Sequence, residues 1–248
     1  MMKKIALVTG AGSGIGQATA IALAEANYTV VLAGRTQESL LETQKQCKAG
    51  MSVVYRCDVS QPTQVKNLFD FIKAEYGRLD LLFNNAGIGH AEVDIDVLDI
   101  EDWQQIVDIN LNGSFYCARE AFKLMKEHQP QGGRIINNGS ISAYAPRPHS
   151  VGYTTTKHAI TGLTKSLSLD GRPYDIVCSQ IDIGNAATQI TKDSATGRLQ
   201  PDGQIRPEPT IDVAEVAQAV VYMADQPLTV NVLFMTVMAN KMPYLGRG

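Results

Sequence analysis

Long apolar runs are missing from this chain. None approaches the roughly 18 residues of a membrane-spanning helix, so a membrane partner is not expected. After Lys3-Lys4 the N-terminus offers only Ile5-Ala6-Leu7-Val8 before Thr9-Gly10. A secretory signal needs about 7–15 apolar residues, and a first buried strand is the simpler reading. Cysteine is sparse: Cys47, Cys57, Cys117 and Cys178 lie far apart, with no CxxC pair. That spacing argues against a zinc site or a disulfide scaffold and fits a reducing cytoplasm. The four histidines show no ligand spacing, so no metal is expected. Charge is not one-sided either. With 22 basic and 25 acidic residues the net charge is −3, whereas nucleic-acid surfaces are usually rich in Lys and Arg. No linker, short repeat or low-complexity tract divides the 248 residues, so one domain over 1–248 is expected.

Short β-branched runs alternate with longer helical patterns. Ile5–Val8, Thr29–Ala33, Ser52–Cys57, Leu79–Asn84, Arg134–Asn138, Ile176–Ile181 and Val232–Val237 read as seven strands. They are apolar at nearly every position, as strands covered on both faces are. Helices are expected over Ile15–Glu25, Glu38–Lys48, Gln61–Glu75, Glu101–Glu127, Val151–Leu169 and Asp212–Met223. Ser60 is read as the N-cap of the third, with Pro62 in its first turn. This alternation predicts an α/β protein with a doubly wound parallel sheet of about seven strands. The polar stretch Thr188–Thr210, with three prolines, is expected to be a lid or a loop.

The first strand runs straight into Thr9-Gly10-Ala11-Gly12-Ser13-Gly14-Ile15-Gly16. A glycine-rich turn between a strand and a helix lets the backbone approach a pyrophosphate, and the helix adds its free N–H groups. This makes the sheet Rossmann-like. The second strand ends in Gly34-Arg35. No carboxylate stands where a ribose 2′-hydroxyl would be bound, and Arg35 can pair with a 2′-phosphate through forked hydrogen bonds. NADP(H) is therefore favoured, with NAD(H) as the alternative. Tyr153 is the only tyrosine with a lysine, Lys157, four residues on. Four residues along a helix is one face, and a cation beside a phenol favours phenolate, which suits a general acid/base. Ser140 lies just past the fifth strand, at the carboxyl end where such sheets bind ligands.

These motifs, in this order, resemble the short-chain dehydrogenase/reductase family over nearly the whole chain. Thr9–Gly16 is similar to its cofactor turn, and Cys57-Asp58-Val59 to its adenine-side Asp-Val. Asn84-Asn85-Ala86-Gly87 is similar to its NNAG, and Asn110 to the asparagine of its fourth long helix. Ser140, thirteen residues before Tyr153, and the Tyr153/Lys157 pair match its reactive residues. Where the family has Pro-Gly after its sixth strand, this chain has Ile183-Gly184, followed by Thr188, and this leaves the path of that turn open. The family's Asp-Gly-Gly near the last strand is absent from Phe234–Gly248.

The resemblance implies an oxidoreductase that moves hydride between the dinucleotide and a carbonyl or alcohol. Tyr153 would be the general acid/base, and Lys157 would support it and hold the nicotinamide ribose. Ser140 would donate to the reacting oxygen, and Asn110 would hold a water in a proton relay. The cofactor is expected to be held by Gly10, Ser13, Gly14, Ile15, Gly16, Arg35, Asp58, Val59, Asn85, Ala86, Gly87, Tyr153, Lys157, Gly184 and Thr188. A silent dinucleotide-binding regulator, or a non-redox epimerase or dehydratase, are the other readings. Substrate contacts are expected from Gly87–Val93, Ser142–Ser150 and Thr188–Thr210, a partly apolar mixture that includes His90, Tyr144, His149 and Ile190. Ser142 is the competitor of Ser140 for the carbonyl contact. Family members commonly form homotetramers or homodimers. Ile106, Phe115, Phe122, Ala159, Gly162 and Leu163 are candidate interface residues.

Overall fold

A computed structural model describes residues 3–89, 92–188 and 197–245. The chain runs β1 (Lys4–Thr9), α1 (Gly14–Glu25), β2 (Tyr28–Gly34), α2 (Gln37–Gln46), β3 (Ser52–Arg56), α3 (Pro62–Tyr76) and β4 (Leu81–Asn84). It continues with α4 (Ile100–Val107), α5 (Gly113–Glu127), β5 (Gly133–Asn138), α6 (Val151–Asp170) and β6 (Ile176–Ile183). A short antiparallel pair, β7 (Arg198–Leu199) with β8 (Ile205–Arg206), precedes α7 (Val213–Asp225) and β9 (Phe234–Val237). Seven strands form one parallel sheet in the order β3-β2-β1-β4-β5-β6-β9. The chain winds outward from β1 to β3, then crosses back to β4. The switch between β1 and β4 opens a crevice at the strands' carboxyl ends.

The inner strands of the sheet bury both faces, so alternate side chains feed two cores. Ala6 and Val8 of β1 join Leu23, Leu40, Val216 and Met223 from α1, α2 and α7. Ile5 and Leu7 join Leu68, Ile72, Cys117 and Leu124 from α3 and α5. Burying one such aliphatic side chain contributes about 1.5–3 kcal/mol. At the opposite end from the crevice, Arg134 is buried, and its Nη2 donates to the carbonyls of Gln226, Pro227 and Val230. It pins the connection that brings the chain from α7 into β9.

The structure corrects several local readings. The helix expected over Glu101–Glu127 is α4 and α5 joined through a π-helical turn, Asp108–Asn112. Gln61, not Ser60, occupies the N-cap position of α3. The Ser60 hydroxyl turns back to donate to Asp58 Oδ1 at 2.8 Å. Ile106 is fully buried inside the subunit, so it leaves the set of interface candidates. Ile183 stands where the family has proline, and it ends β6 level with Val237 of β9. The following Gly184 N–H donates to Val237 O at 2.9 Å. A Cβ on Gly184 would lie 2.6 Å from Met238 Cβ, so the turn is fixed by close packing. Of Thr188–Thr210, the β7–β8 pair is described; Ile190 and His90 lie outside the described residues.

Candidate active site

The glycine turn is built by crowding. Gly10 and Gly14 have φ of +66° and +53°, a region that penalises any Cβ. A Cβ on Gly16 would lie 2.1 Å from the Gly10 carbonyl oxygen. No side chain caps the start of α1, and its first turn carries no acid. The N–H groups there and the positive end of the helix dipole therefore suit a phosphate. Thr188 packs across the turn, 3.1 Å from where a Gly14 Cβ would be.

The ends of β1, β4 and β5 are tied together beside this turn. The Asn85 and Ala86 N–H groups both donate to Thr9 Oγ1 at 3.0 Å. Asn85 Nδ2 donates to Thr9 O at 2.9 Å, and Asn138 Nδ2 donates to Asn85 Oδ1 at 2.9 Å. Asn138 O in turn accepts from Lys157 Nζ at 2.7 Å. Lys157 is buried on α6, and its ammonium lies 5.4 Å from the centre of the Tyr153 ring one turn earlier. The expected helical pairing of phenol and cation is thus present.

All fifteen residues expected at the cofactor line one cleft of about 760 Å³, from Arg35 and Asp58 at one end to Tyr153, Lys157 and Gly184 at the other. The cleft, the glycine turn and the uncapped helix together fit a dinucleotide. At the Arg35 end, Arg56 Nε donates to Arg35 O at 3.0 Å, which sets a second guanidinium there. Asp58 Oδ1 accepts from the Ser60 N–H and hydroxyl. Cys57 also lines the cleft, but burial pushes its thiol up to about 11, so it is no nucleophile.

Tyr153 also lines a second, smaller cavity of about 120 Å³ with Ser140, Ser142, Arg147, His149, Asn185 and Arg198. Tyr153 thus lines both spaces, and Ser140 lines the second. Ser140 Oγ accepts from the Ser142 N–H at 3.1 Å, which leaves the Ser140 hydroxyl proton to be donated. Ser142, the competing serine, serves as this donor. Among the described residues the lining of this cavity is mixed, with Ile141 and Ile183 beside the polar side chains. Arg147 pairs with the buried Glu208, and Arg198 with Glu92. Tyr144 turns to Asp182 and lies outside both spaces.

Asn110 lies in the π-helical turn and lines neither space. Its Oδ1 accepts from the Ile88 N–H at 2.8 Å, and its Nδ2 donates to Ile88 O at 3.0 Å. It therefore clamps the loop that carries Gly87. Among the described residues no cluster of three His, Cys, Asp or Glu could hold a metal, and no helix is long and apolar enough to cross a membrane. Sequence reasoning missed Arg56, Glu208 and Asp182. Each acts across the fold, and only the acid inside the apolar run Ile181-Asp182-Ile183 left a local sign.

A family model described as short chain dehydrogenase matches residues 4–198. The 3beta-hydroxysteroid dehydrogenase of Mediterraneibacter gnavus is 40% identical over 195 residues, covering 78% of this chain and 70% of that protein. The closed form of a serine dehydrogenase complexed with NADP+ superposes with a TM-score of 0.86 at 25% identity, covering 98% of both chains. The 3-ketoacyl-(acyl-carrier-protein) reductase from Brucella melitensis complexed with NADH gives 0.83 at 25% identity, over 96% of this chain and 97% of that one. Sheet, cleft and matches define an NAD(P)-dependent oxidoreductase. The chain belongs to the short-chain dehydrogenase/reductase family.

Proposed function

We propose that this protein moves hydride between NADP(H) and a small carbonyl or alcohol substrate, with Tyr153 as general acid/base. The observation that carries the proposal is that Tyr153 lines both spaces, sharing the larger cleft with Lys157 and the second cavity with Ser140. A silent regulator would have no need of all three side chains together. When bound, the dinucleotide supplies the hydride chemistry. The protein's part is position and charge. Tyr153 gives its proton to the carbonyl oxygen in reduction and takes the alcohol proton in oxidation. Ser140 donates a hydrogen bond to the same oxygen, where negative charge develops. Lys157, held by Asn138 O, keeps a cation beside the phenol and would hold the ribose of the bound dinucleotide. Asn110 serves the relay from behind the Ile88 loop, whose backbone its amide holds from both sides. One domain spans 1–248, and four free buried cysteines suit the cytoplasm. Absorbance at the reduced-nicotinamide band, over a panel of ketones and alcohols with each dinucleotide, tests the reading. Substrate conversion without net redox change would move the protein to the epimerase or dehydratase class.

Cofactor choice follows from the guanidinium at the cleft's far end. Arg35→Ala with Gly34→Asp is expected to shift preference toward NAD(H), in paired kcat/KM, by about tenfold or more. The new carboxylate accepts from a 2′-hydroxyl and repels a 2′-phosphate. Leu40 Cδ2, 3.2 Å from the new Cβ, is a side-chain end that can give way. A wild type that already prefers NAD(H) would refute the role of Arg35.

Assembly is the last part of the proposal. Phe115 on α5 is 47% exposed, and Gly162 on α6 faces open space. We place the twofold contact of a homodimer or homotetramer on these two helices. Light scattering at micromolar concentration is expected to give a dimer or tetramer, and a monomer would contradict it. Phe115→Asp is expected to weaken the assembly.

A further inference from the structure

A fully buried acid lies behind the Ser140 turn, and the chemistry above makes no use of it. Asp182 is on β6 with no exposed surface. Its Oδ1 accepts from the Ser140 N–H at 3.0 Å and from Gln180 Nε2 at 2.7 Å. Its Oδ2 accepts from the Tyr144 hydroxyl at 3.1 Å. All three partners come as donors, which is the surrounding an ionised carboxylate requires. Burial pushes Asp182 up from its ordinary value, and Gln180, Tyr144, the Ser140 N–H and the Lys157 charge pull it back. The Tyr144 phenol is itself pushed up to about 12, first by burial and then by the Asp182 charge, so it stays a donor.

The space for this carboxylate is made by a glycine. A Cβ on Gly139 would lie 2.2 Å from Asp182 Oδ1. Gln180, which orients the acid, is anchored in turn. Its Oε1 accepts from Thr164 Oγ1, which accepts from Asn137 Nδ2, and Asn137 Oδ1 accepts from Asn84 Nδ2. The acid thus ends a buried polar chain that runs through three strands and α6. Such networks are rigid when every member is satisfied.

We propose that Asp182 is a positioning residue for this active site: one oxygen fixes the main chain of Ser140, and its charge is a counter-ion to Lys157. The proposal rests on the roles given above to Ser140, Tyr153 and Lys157. Held at its N–H, Ser140 keeps its place in the lining of the second cavity, which Tyr153 also lines. The ionisable groups that act on the acid are Lys157 of α6 and Tyr144 of the Ser140 turn, with Tyr244 of the C-terminal segment acting on Tyr144. An anion here offsets part of the Lys157 field. Its removal leaves the Lys157 charge uncompensated, a change that the pH dependence of turnover reads.

The test compares the pH dependence of kcat/KM for alcohol oxidation in wild type, Asp182→Asn and Asp182→Ala. Asparagine keeps the size and an acceptor for the Ser140 N–H but has no charge. Asp182→Asn is expected to keep most of kcat, with its rising limb moved to lower pH by roughly half a unit or more. Asp182→Ala leaves the buried Ser140 N–H without its acceptor. Its kcat is expected to fall about tenfold or more, with KM for the dinucleotide unchanged. A residue that only supports the fold would lower Tm and leave the limb in place. An Asp182→Asn limb that superposes on the wild type overturns the proposal, as does full activity of Asp182→Ala. If Asp182→Ala does not fold, the Asp182→Asn limb alone decides. Turnover that survives in Tyr153→Phe would instead strike the reading of the site itself.

Discussion

Tyr153→Phe is expected to bind its dinucleotide within a few-fold of the wild type and to lose turnover by about 10²–10⁴-fold. The substitution removes a hydroxyl and keeps the ring that forms part of the cleft wall. The Lys157 ammonium stays tied to Asn138 O, so the binding surface keeps its charge. What disappears is the group that exchanges a proton with the reacting oxygen. Binding by fluorescence titration and turnover by absorbance separate the two effects. Loss of both together would show that Tyr153 matters for the cleft's shape and not for proton transfer.

Gly16→Ala is expected to damage binding and stability together. The added methyl would sit 2.1 Å from Gly10 O and 2.5 Å from Asn85 Nδ2. A backbone carbonyl in a tight turn cannot swing aside as a side-chain end can. Either α1 shifts or the glycine turn opens, at a cost of about 1–3 kcal/mol or more. For a domain of this size each kcal/mol lowers Tm by about 2–4 °C. Dinucleotide affinity is expected to fall by about tenfold or more, because the displaced groups shape the phosphate end of the cleft. Gly50→Ala is the control. Gly50 has a positive φ of +73° and nothing within 4 Å of a new Cβ. It is expected to cost about 1 kcal/mol in stability and nothing in affinity. Equal affinities for the two variants would show that crowding at Gly16 does not shape the site.

The sheet was legible because both of its faces are covered. Runs such as Leu7-Val8 and Val30-Val31-Leu32 have no solvated side to obscure them. The glycine turn, Ser140 and the Tyr153/Lys157 pair were legible because their chemistry is local in sequence. Other features depend on distant parts of the chain. The π-helical turn at Asp108–Asn112 adds no distinctive residue type, and Asn110 within it grips Ile88 from a distant segment. Ser60 could cap a helix by its chemistry, but α3 starts at Pro62, one residue too late for it, and its hydroxyl donates to Asp58. Arg56 reaches Arg35 across neighbouring strands. Ile106 looked like an outward apolar residue because helical periodicity does not say which neighbour a face meets. Asp182 interrupts an apolar run, and only the folded chain shows that Gly139 makes room for it.

The most direct test of hydride transfer at this site uses reduced dinucleotide deuterated at the transferring carbon, with a panel of small ketones, followed by mass spectrometry of the products. The account predicts that at least one ketone becomes an alcohol carrying the deuterium, in step with loss of the reduced-nicotinamide band, and that Tyr153→Phe abolishes this. An alcohol formed without the label, or labelled equally by Tyr153→Phe, would contradict it.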